Sequence, residues 1–241
     1  MRIVLTRVFM LALCAAALLA GWCFHAGVWC LPPRWDPWAP LDLDEAPGLL
    51  TPWKLARTLA DPALCRTALA GSALSYQAAA ERIDPGGCDV HNAVRVAAHA
   101  RGGVAAAGFN QGFLATCPLA LAMAWFEHRD LQADARAWYG EPVVRITHVG
   151  SYACRNIDHA ASGALSEHAH ANALDVTGFV LADGRYVTVA RDWHGAARDA
   201  GFLHQVHDDA CSVFHVVLGP GYDAAHSTHF HLDMGPYRAC R

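Results

Sequence analysis

Lysine is almost missing from this chain: Lys54 is the only one, and arginine carries the rest of the positive charge. The formal net charge is −4 and no basic patch is interleaved with aromatics, so nucleic acid is excluded as a partner. No two cysteines form a Cys-x₂₋₄-Cys pair, which removes the common structural zinc knuckles. Ser166 lacks a surrounding Gly-x-Ser-x-Gly elbow and makes a poor nucleophile. Internal repeats and low-complexity domains are absent. So is any charged residue between Val8 and Cys30.

That uncharged run, broken only by His25, is long enough at about 1.5 Å per residue to cross a hydrocarbon core of about 30 Å. Arg2 and Arg7 precede it, and flanking positive charge keeps a short N-terminus on the cytoplasmic side. Residues 1–30 therefore read as a signal anchor across a membrane, with the remainder sent outward. Small residues near Ala20 keep a cleaved signal peptide, and release of the exported part, as the alternative. Residues 31–44, with Pro32, Pro33, Pro37 and Pro40, read as a stiff extended spacer leaving the membrane.

Three cysteines, Cys14, Cys23 and Cys30, belong to the apolar run. The other six, Cys65, Cys88, Cys117, Cys154, Cys211 and Cys240, form an even set in an exported region and are disulfide candidates with fifteen pairings open. A Cys211–Cys240 bridge is one of these, and it would hold the chain beside the histidine-rich segment.

Residues 45–241 are long enough for one core and read as a single α+β domain, a small, mostly antiparallel sheet with two or three covering helices. Thr51-Pro52 starts a helix, and a second covers Ala63–Ala70. Pro85-Gly86-Gly87 is a turn, with an extended stretch beginning at Cys88; Gly102, Gly103 and Gly108 mark loops. Thr116-Cys117-Pro118 opens a helix with an apolar stripe that ends before Gly140. Val143–His148 is strand-like. Strands over Asn172–Phe179 and Arg185–Ala190 form a hairpin around Ala182-Asp183-Gly184. A helix from Asp192 runs toward Cys211, and strands follow at Phe214–Leu218 and Phe230–Met234.

Eleven of the fifteen histidines lie at or after His148, concentrating the metal-binding side chains in the last two fifths of the chain. Two segments stand out: Ser166-Glu167-His168-Ala169-His170, leading to Asp175, and His226-Ser227-Thr228-His229-Phe230-His231-Leu232-Asp233. Two histidines and a carboxylate are a common hydrolytic zinc set that leaves one position open for water. His168 and Asp175 are too far apart for adjacent turns of one helix, so Ala169–Asn172 must turn the chain back. His229 and His231 alternate with Phe230 and Leu232, which places both imidazoles on one strand face, about 7 Å apart. One can bind metal while the other faces substrate, and His226 approaches from the loop side. His170 reads as a surface or outer-layer residue. His159, His194, His204, His207 and His215 read as solvated or packed.

Ser166-x-His168-x₆-Asp175 with His229-x-His231 resembles the zinc motifs of the lysostaphin, D-Ala-D-Ala-carboxypeptidase and hedgehog-fold group of peptidoglycan peptidases. The wider runs Gly150–Arg155, Leu165–Val176, Leu181–Arg185, Asp192-Trp193 and His229–Asp233 are similar to the bacterial extensin-like C-terminal domain family. The resemblance implies a hedgehog/D-Ala-D-Ala-peptidase-like fold and Zn2+ as cofactor, with His168, Asp175 and His231 as its ligands. It further implies His226 or His229 as the base and Arg155 as a donor to a substrate carboxylate or oxyanion. The implied substrate is a peptide bond in a peptidoglycan stem or cross-bridge; whether a protein activator is needed is left open. Thr228 stands where several D,D-peptidases carry a glutamate base. Ala171 replaces a usual glycine, at a cost of about 1 kcal/mol or more if φ is positive there. Glu167 and Asp233 are candidates for the layer around the ligands, with Ser166 beside them. A non-catalytic wall-binding or scaffold protein stapled by zinc is the alternative.

Overall fold

The computed structural model describes residues 2–28, 31–99 and 106–241. Cys30, Gly102 and Gly103, which figure in the expectations above, lie outside the described residues. Two compact units divide the chain, Met1–Ala56 and Arg57–Arg241.

In the first unit, helix α1 (Arg2–His25) contains a span, Thr6–His25, long and apolar enough to cross a membrane. The proline-rich segment that follows departs from the expected extended spacer. Pro33–Trp35 form a 3₁₀ turn, and the buried Lys54 ammonium donates to the Pro33 carbonyl at 2.6 Å. Trp38 packs edge-to-face on Trp53, with ring centroids 5.6 Å apart. Proline is compatible with a helix's first turn, where its missing N–H is not needed. A hydrogen-bonded turn therefore forms where proline content alone indicated a rod.

Helix α2 (Thr51–Ala60) begins at the expected place, and α3 (Pro62–Ala70) is capped by Asp61, whose carboxylate accepts from the Ala63 and Leu64 amides. Strands β1 (Tyr76–Ala78), β2 (Ala93–Val96) and β4 (Phe113–Thr116) form a three-stranded antiparallel sheet. The larger sheet has seven strands. Five are β3 (Gly108–Phe109), β5 (Val143–His148), β6 (Ala173–Leu181), β7 (Tyr186–Thr188) and β8 (Val216–Leu218); β9 (Phe230–Asp233) and β10 (Ala239–Cys240) complete it. The expectation of one small, mostly antiparallel sheet needs revision. Among the described residues there are two sheets, and the larger is mixed: β3 joins β5 and β10 joins β8 in parallel, while the pairings among β5 to β9 are antiparallel. Two-residue strands such as β3 and β10 carry no alternation to read.

Helix α4 (Cys117–Phe126) is buried at every position but Pro118, so it is a core helix and not a half-exposed amphipathic one. A π turn at Glu127–Leu131 joins it to α5 (Gln132–Tyr139), which ends at Gly140 with φ 77°. Beyond β7, Val189–Asp192 turn as a short helix (α6), which takes in Val189 and Ala190 where strand was expected, and α7 (Ala197–Val213) begins later than Asp192. Phe126, Phe179, Phe202, Phe214 and Phe230, all buried, fill the core between α4, α7 and the large sheet. The six cysteines pair as Cys65–Cys117, Cys88–Cys154 and Cys211–Cys240.

Candidate metal centre

The centre of the large sheet supplies two of the side chains. Antiparallel pairing of β6 with β9 sets Asp175 directly opposite His231, a position where side chains on one face meet. Phe230 and Leu232 are buried on the other face and hold that register. The third side chain comes from a 3₁₀ turn, Glu167–His170, that immediately precedes β6. Ser166 caps this turn, its hydroxyl accepting from the His168 amide at 3.3 Å. The chain then reverses through Ala171, at φ 53° and ψ 32°. A left-handed alanine costs about 1–2 kcal/mol. Its methyl is buried with Val90 and Ala93, which offsets about 0.8 kcal/mol of that cost.

The turn brings His168 Nε2 to 3.2 Å from Asp175 Oδ1 and 3.1 Å from His231 Nδ1, and His231 Nδ1 lies 3.1 Å from the same oxygen. The opposite nitrogens are both engaged. His168 Nδ1 donates to the Ser151 carbonyl at 2.7 Å, and His231 Nε2 donates to Asp233 Oδ2 at 3.0 Å. Those bonds leave the inward nitrogens as lone pairs when the rings are neutral. Three acceptor atoms therefore converge with no hydrogen among them, an arrangement that requires a cation or added protons. Ligands on a tetrahedral ion at about 2.0–2.1 Å stand about 3.4 Å apart, close to the observed spacings. The donor set fits a zinc ion.

The electrostatics agree with that geometry. Burial opposes the charge on Asp175, but hydrogen bonds and charge from His168 and His231 outweigh it and hold the carboxyl below its ordinary range. Burial likewise disfavours a proton on His231, yet Asp175 and Asp233 together raise it to about 9. A metal-free centre thus keeps a proton where a cation would sit.

A cleft of about 380 Å³ opens over Asp175 and His231, with His168 buried behind them. It is lined by His226, His229, Arg155 and Tyr222 among others. His229 Nε2 lies 3.5 Å from Asp175 Oδ1, and burial lowers its pKa. His226, at the end of the turn Ala224–His226, donates from Nδ1 to Asp223 Oδ1 at 2.7 Å. Its ring centroid lies 5.5 Å from that of His229 and 5.9 Å from that of His231. The Arg155 guanidinium donates a long hydrogen bond to the Asn156 carbonyl at 3.4 Å, and its backbone carbonyl accepts from the Ser166 amide at 3.0 Å.

Other expected residues fall elsewhere or act differently. His170 donates to the Asp89 carbonyl at 2.8 Å and lines a separate cavity, away from the ligand atoms. Glu167 accepts from Asn172 Nδ2 at 2.7 Å and touches neither imidazole of the cluster through a hydrogen bond. His159, read as solvated or packed, lines the cleft beside Asp158, both at positive φ. Asp223, the Ser151 carbonyl and Tyr222 were not anticipated. A backbone acceptor has no side-chain signature, but an aspartate three residues before His226 was a visible cue for a turn cap.

Two more clusters bring metal-ligating residue types together, His207 with Cys211 and Cys240, and Asp84 with Cys88 and Cys154. Their sulfurs are bonded to each other. Among the described residues, only the His168, Asp175 and His231 cluster offers three free donors.

The family model described as Extensin-like protein C-terminus matches residues 63–241, and the chain belongs to that family. No curated protein matches the chain, and no solved structure does.

Proposed function

We propose that this chain is a zinc-dependent peptidoglycan hydrolase that cleaves a peptide bond in a stem or cross-bridge, with a site of the hedgehog/D-Ala-D-Ala-peptidase kind. The observation that carries the reading is the convergence of two imidazole lone pairs and one carboxylate oxygen at the floor of an open cleft. His168, Asp175 and His231 hold the ion in this reading. When bound there, zinc supplies Lewis acidity that polarises a carbonyl and brings water's pKa toward neutrality.

The remaining work belongs to the protein's own groups. Asp223 fixes the tautomer of His226, leaving Nε2 as the acceptor that takes a proton from the attacking water. The same nitrogen returns that proton to the departing amine. His229, whose proton affinity is lowered by burial, lines the reaction cleft beside it. Arg155 supplies the fixed positive charge for a substrate carboxylate or the developing oxyanion. In this account residues 1–30 anchor the protein in the inner membrane, residues 31–44 link, and residues 45–241 work on the periplasmic side.

His229 Nε2, so near the Asp175 oxygen, also favours a second reading in which it closes the coordination sphere. The protein would then be a non-catalytic, zinc-stapled wall-binding protein. Mass spectrometry of muropeptides separates the two. Zinc-loaded protein should release a new free amine or a shortened stem from purified sacculi, and His168→Ala should not. Identical digests from both proteins contradict the hydrolase.

A further inference from the structure

We propose that Asn172 is a positioning residue that sets the distance between His168 and the other two ligands, acting as a joint between the 3₁₀ turn and the sheet. The proposal rests on the metal reading above. Asp175 and His231 are registered against each other by a strand ladder, whereas His168 sits on a turn that no ladder holds. Asn172 lies between them in sequence, at the last residue before β6.

Each of its polar atoms is used. The backbone amide donates to the Glu167 carbonyl at 2.9 Å, and the Asn172 carbonyl accepts from the Met234 amide at 3.1 Å. In the side chain, Oδ1 accepts from Thr116 Oγ1 at 2.6 Å, and Nδ2 donates to Glu167 Oε2 at 2.7 Å. An ionised carboxylate only accepts, so Glu167 fixes which way the amide points. One residue thereby ties together the turn bearing His168, the cap of α4 and the segment that follows Asp233.

The neighbours of the joint are braced as well. The Thr116 amide donates to the Ala171 carbonyl at 2.9 Å, and Cys117 beside it is bridged to Cys65. Gly235 lies under Glu167, where an added Cβ would come within 2.6 Å of the carboxylate carbon. Gly235 and the hydrogen bond to Asn172 thus hold the Glu167 side chain in place. Glu167 lines the same cleft as Asp175 and His231, yet its side-chain hydrogen bond goes to Asn172 and not to an imidazole.

The test uses the full chain in detergent, with zinc affinity from chelator competition and melting of the metal-free form as the second readout. Asn172→Asp sets a carboxylate against Glu167 and should weaken zinc by about tenfold or more, the range for groups that orient ligands. Adding Glu167→Gln restores a donor across the pair, since the glutamine amide can donate to the introduced carboxylate. The double variant should recover to within about threefold of wild type. Glu167→Ala, at a half-buried position, should weaken zinc as Asn172→Asp does while the metal-free melting temperature stays near wild type. Unchanged zinc affinity in Asn172→Asp, with or without a lower melting temperature, overturns the proposal, as does a double variant no tighter than the single one. Wild-type protein that binds no zinc overturns the metal reading and the joint with it.

Discussion

Asp175 and Asp134 are both carboxylates drawn away from water among other titratable groups, yet their proton affinities move in opposite directions. Burial works against the charge in both. At Asp175 two imidazoles answer it, and the carboxyl is held low. At Asp134, on α5, burial acts together with the charge of Asp209 on α7, and the pKa rises to about 7; nearby Asp130 rises to about 6 for the same two reasons. Clustered acid groups alone destabilise one another, while acid groups interleaved with oriented imidazoles make a place for a cation. The difference lies in what the neighbours are: carbonyl and carboxylate acceptors aim the imidazoles of His168 and His231 at Asp175, whereas the charges acting on Asp134 are the carboxylates of Asp209 and Asp130.

Removing a ligand should break the comparison most severely. His231→Ala should lower zinc affinity by more than about 100-fold, beyond the range for outer groups, whereas Asp134→Asn should leave it unchanged. Chelator competition measures both, and equal effects would dissolve the distinction between the two clusters.

The pH dependence of zinc binding comes next. His231 binds its proton up to about pH 9 in the metal-free centre, so zinc must displace that proton at lower pH. Affinity should fall about tenfold per pH unit below about 9, and a flat profile between about pH 6 and 8 would show that no proton is released. The metal-free fold should respond to the same proton. A raised histidine pKa gives stability that is fully present below its unfolded value and is lost as pH rises through about 9.

A smaller effect is expected at the cleft's rim. Asp223→Asn should slow sacculus cleavage by about tenfold through loss of His226 orientation, with zinc affinity intact. Loss of zinc in that variant would place Asp223 in the metal's surroundings and not with the base.

The smallest effect sharpens the other side of the comparison. Asp134 has a raised pKa, so its ionisation costs stability that is absent below about pH 4 and builds as pH rises through about 7. Asp134 is only half-buried, although its Oδ2 is shut off from solvent, and partial screening limits the gain from Asp134→Asn to less than about 1 kcal/mol at about pH 8. Thermal melts at acidic and mildly alkaline pH measure it, and an equal gain at both would remove the electrostatic explanation.

How much of this could be read from residues alone follows the range of the forces involved. The His231 and Asp175 positions come from period-two alternation and a reversal of chain between two motifs, both local features. The convergence with His168 depends on a turn at Ala171 that takes a conformation glycine ordinarily favours, and its buried methyl explains the exception only once Val90 is seen beside it. Asn172 reads as an ordinary residue at the start of a strand; its partners Thr116 and Met234 are distant in sequence. The parallel edge pairings of β3 and β10 were equally hidden, since two residues carry no period. Likewise α4 is apolar on every side, and periodicity cannot assign a face to such a helix.

The most direct test is X-ray absorption at the zinc edge of the zinc-loaded full chain. The account predicts one zinc per chain with two imidazoles and only nitrogen or oxygen neighbours, at about 2.0–2.2 Å. A sulfur shell at about 2.3 Å would put the metal on Cys211 and Cys240 or on Cys88 and Cys154, and contradict it.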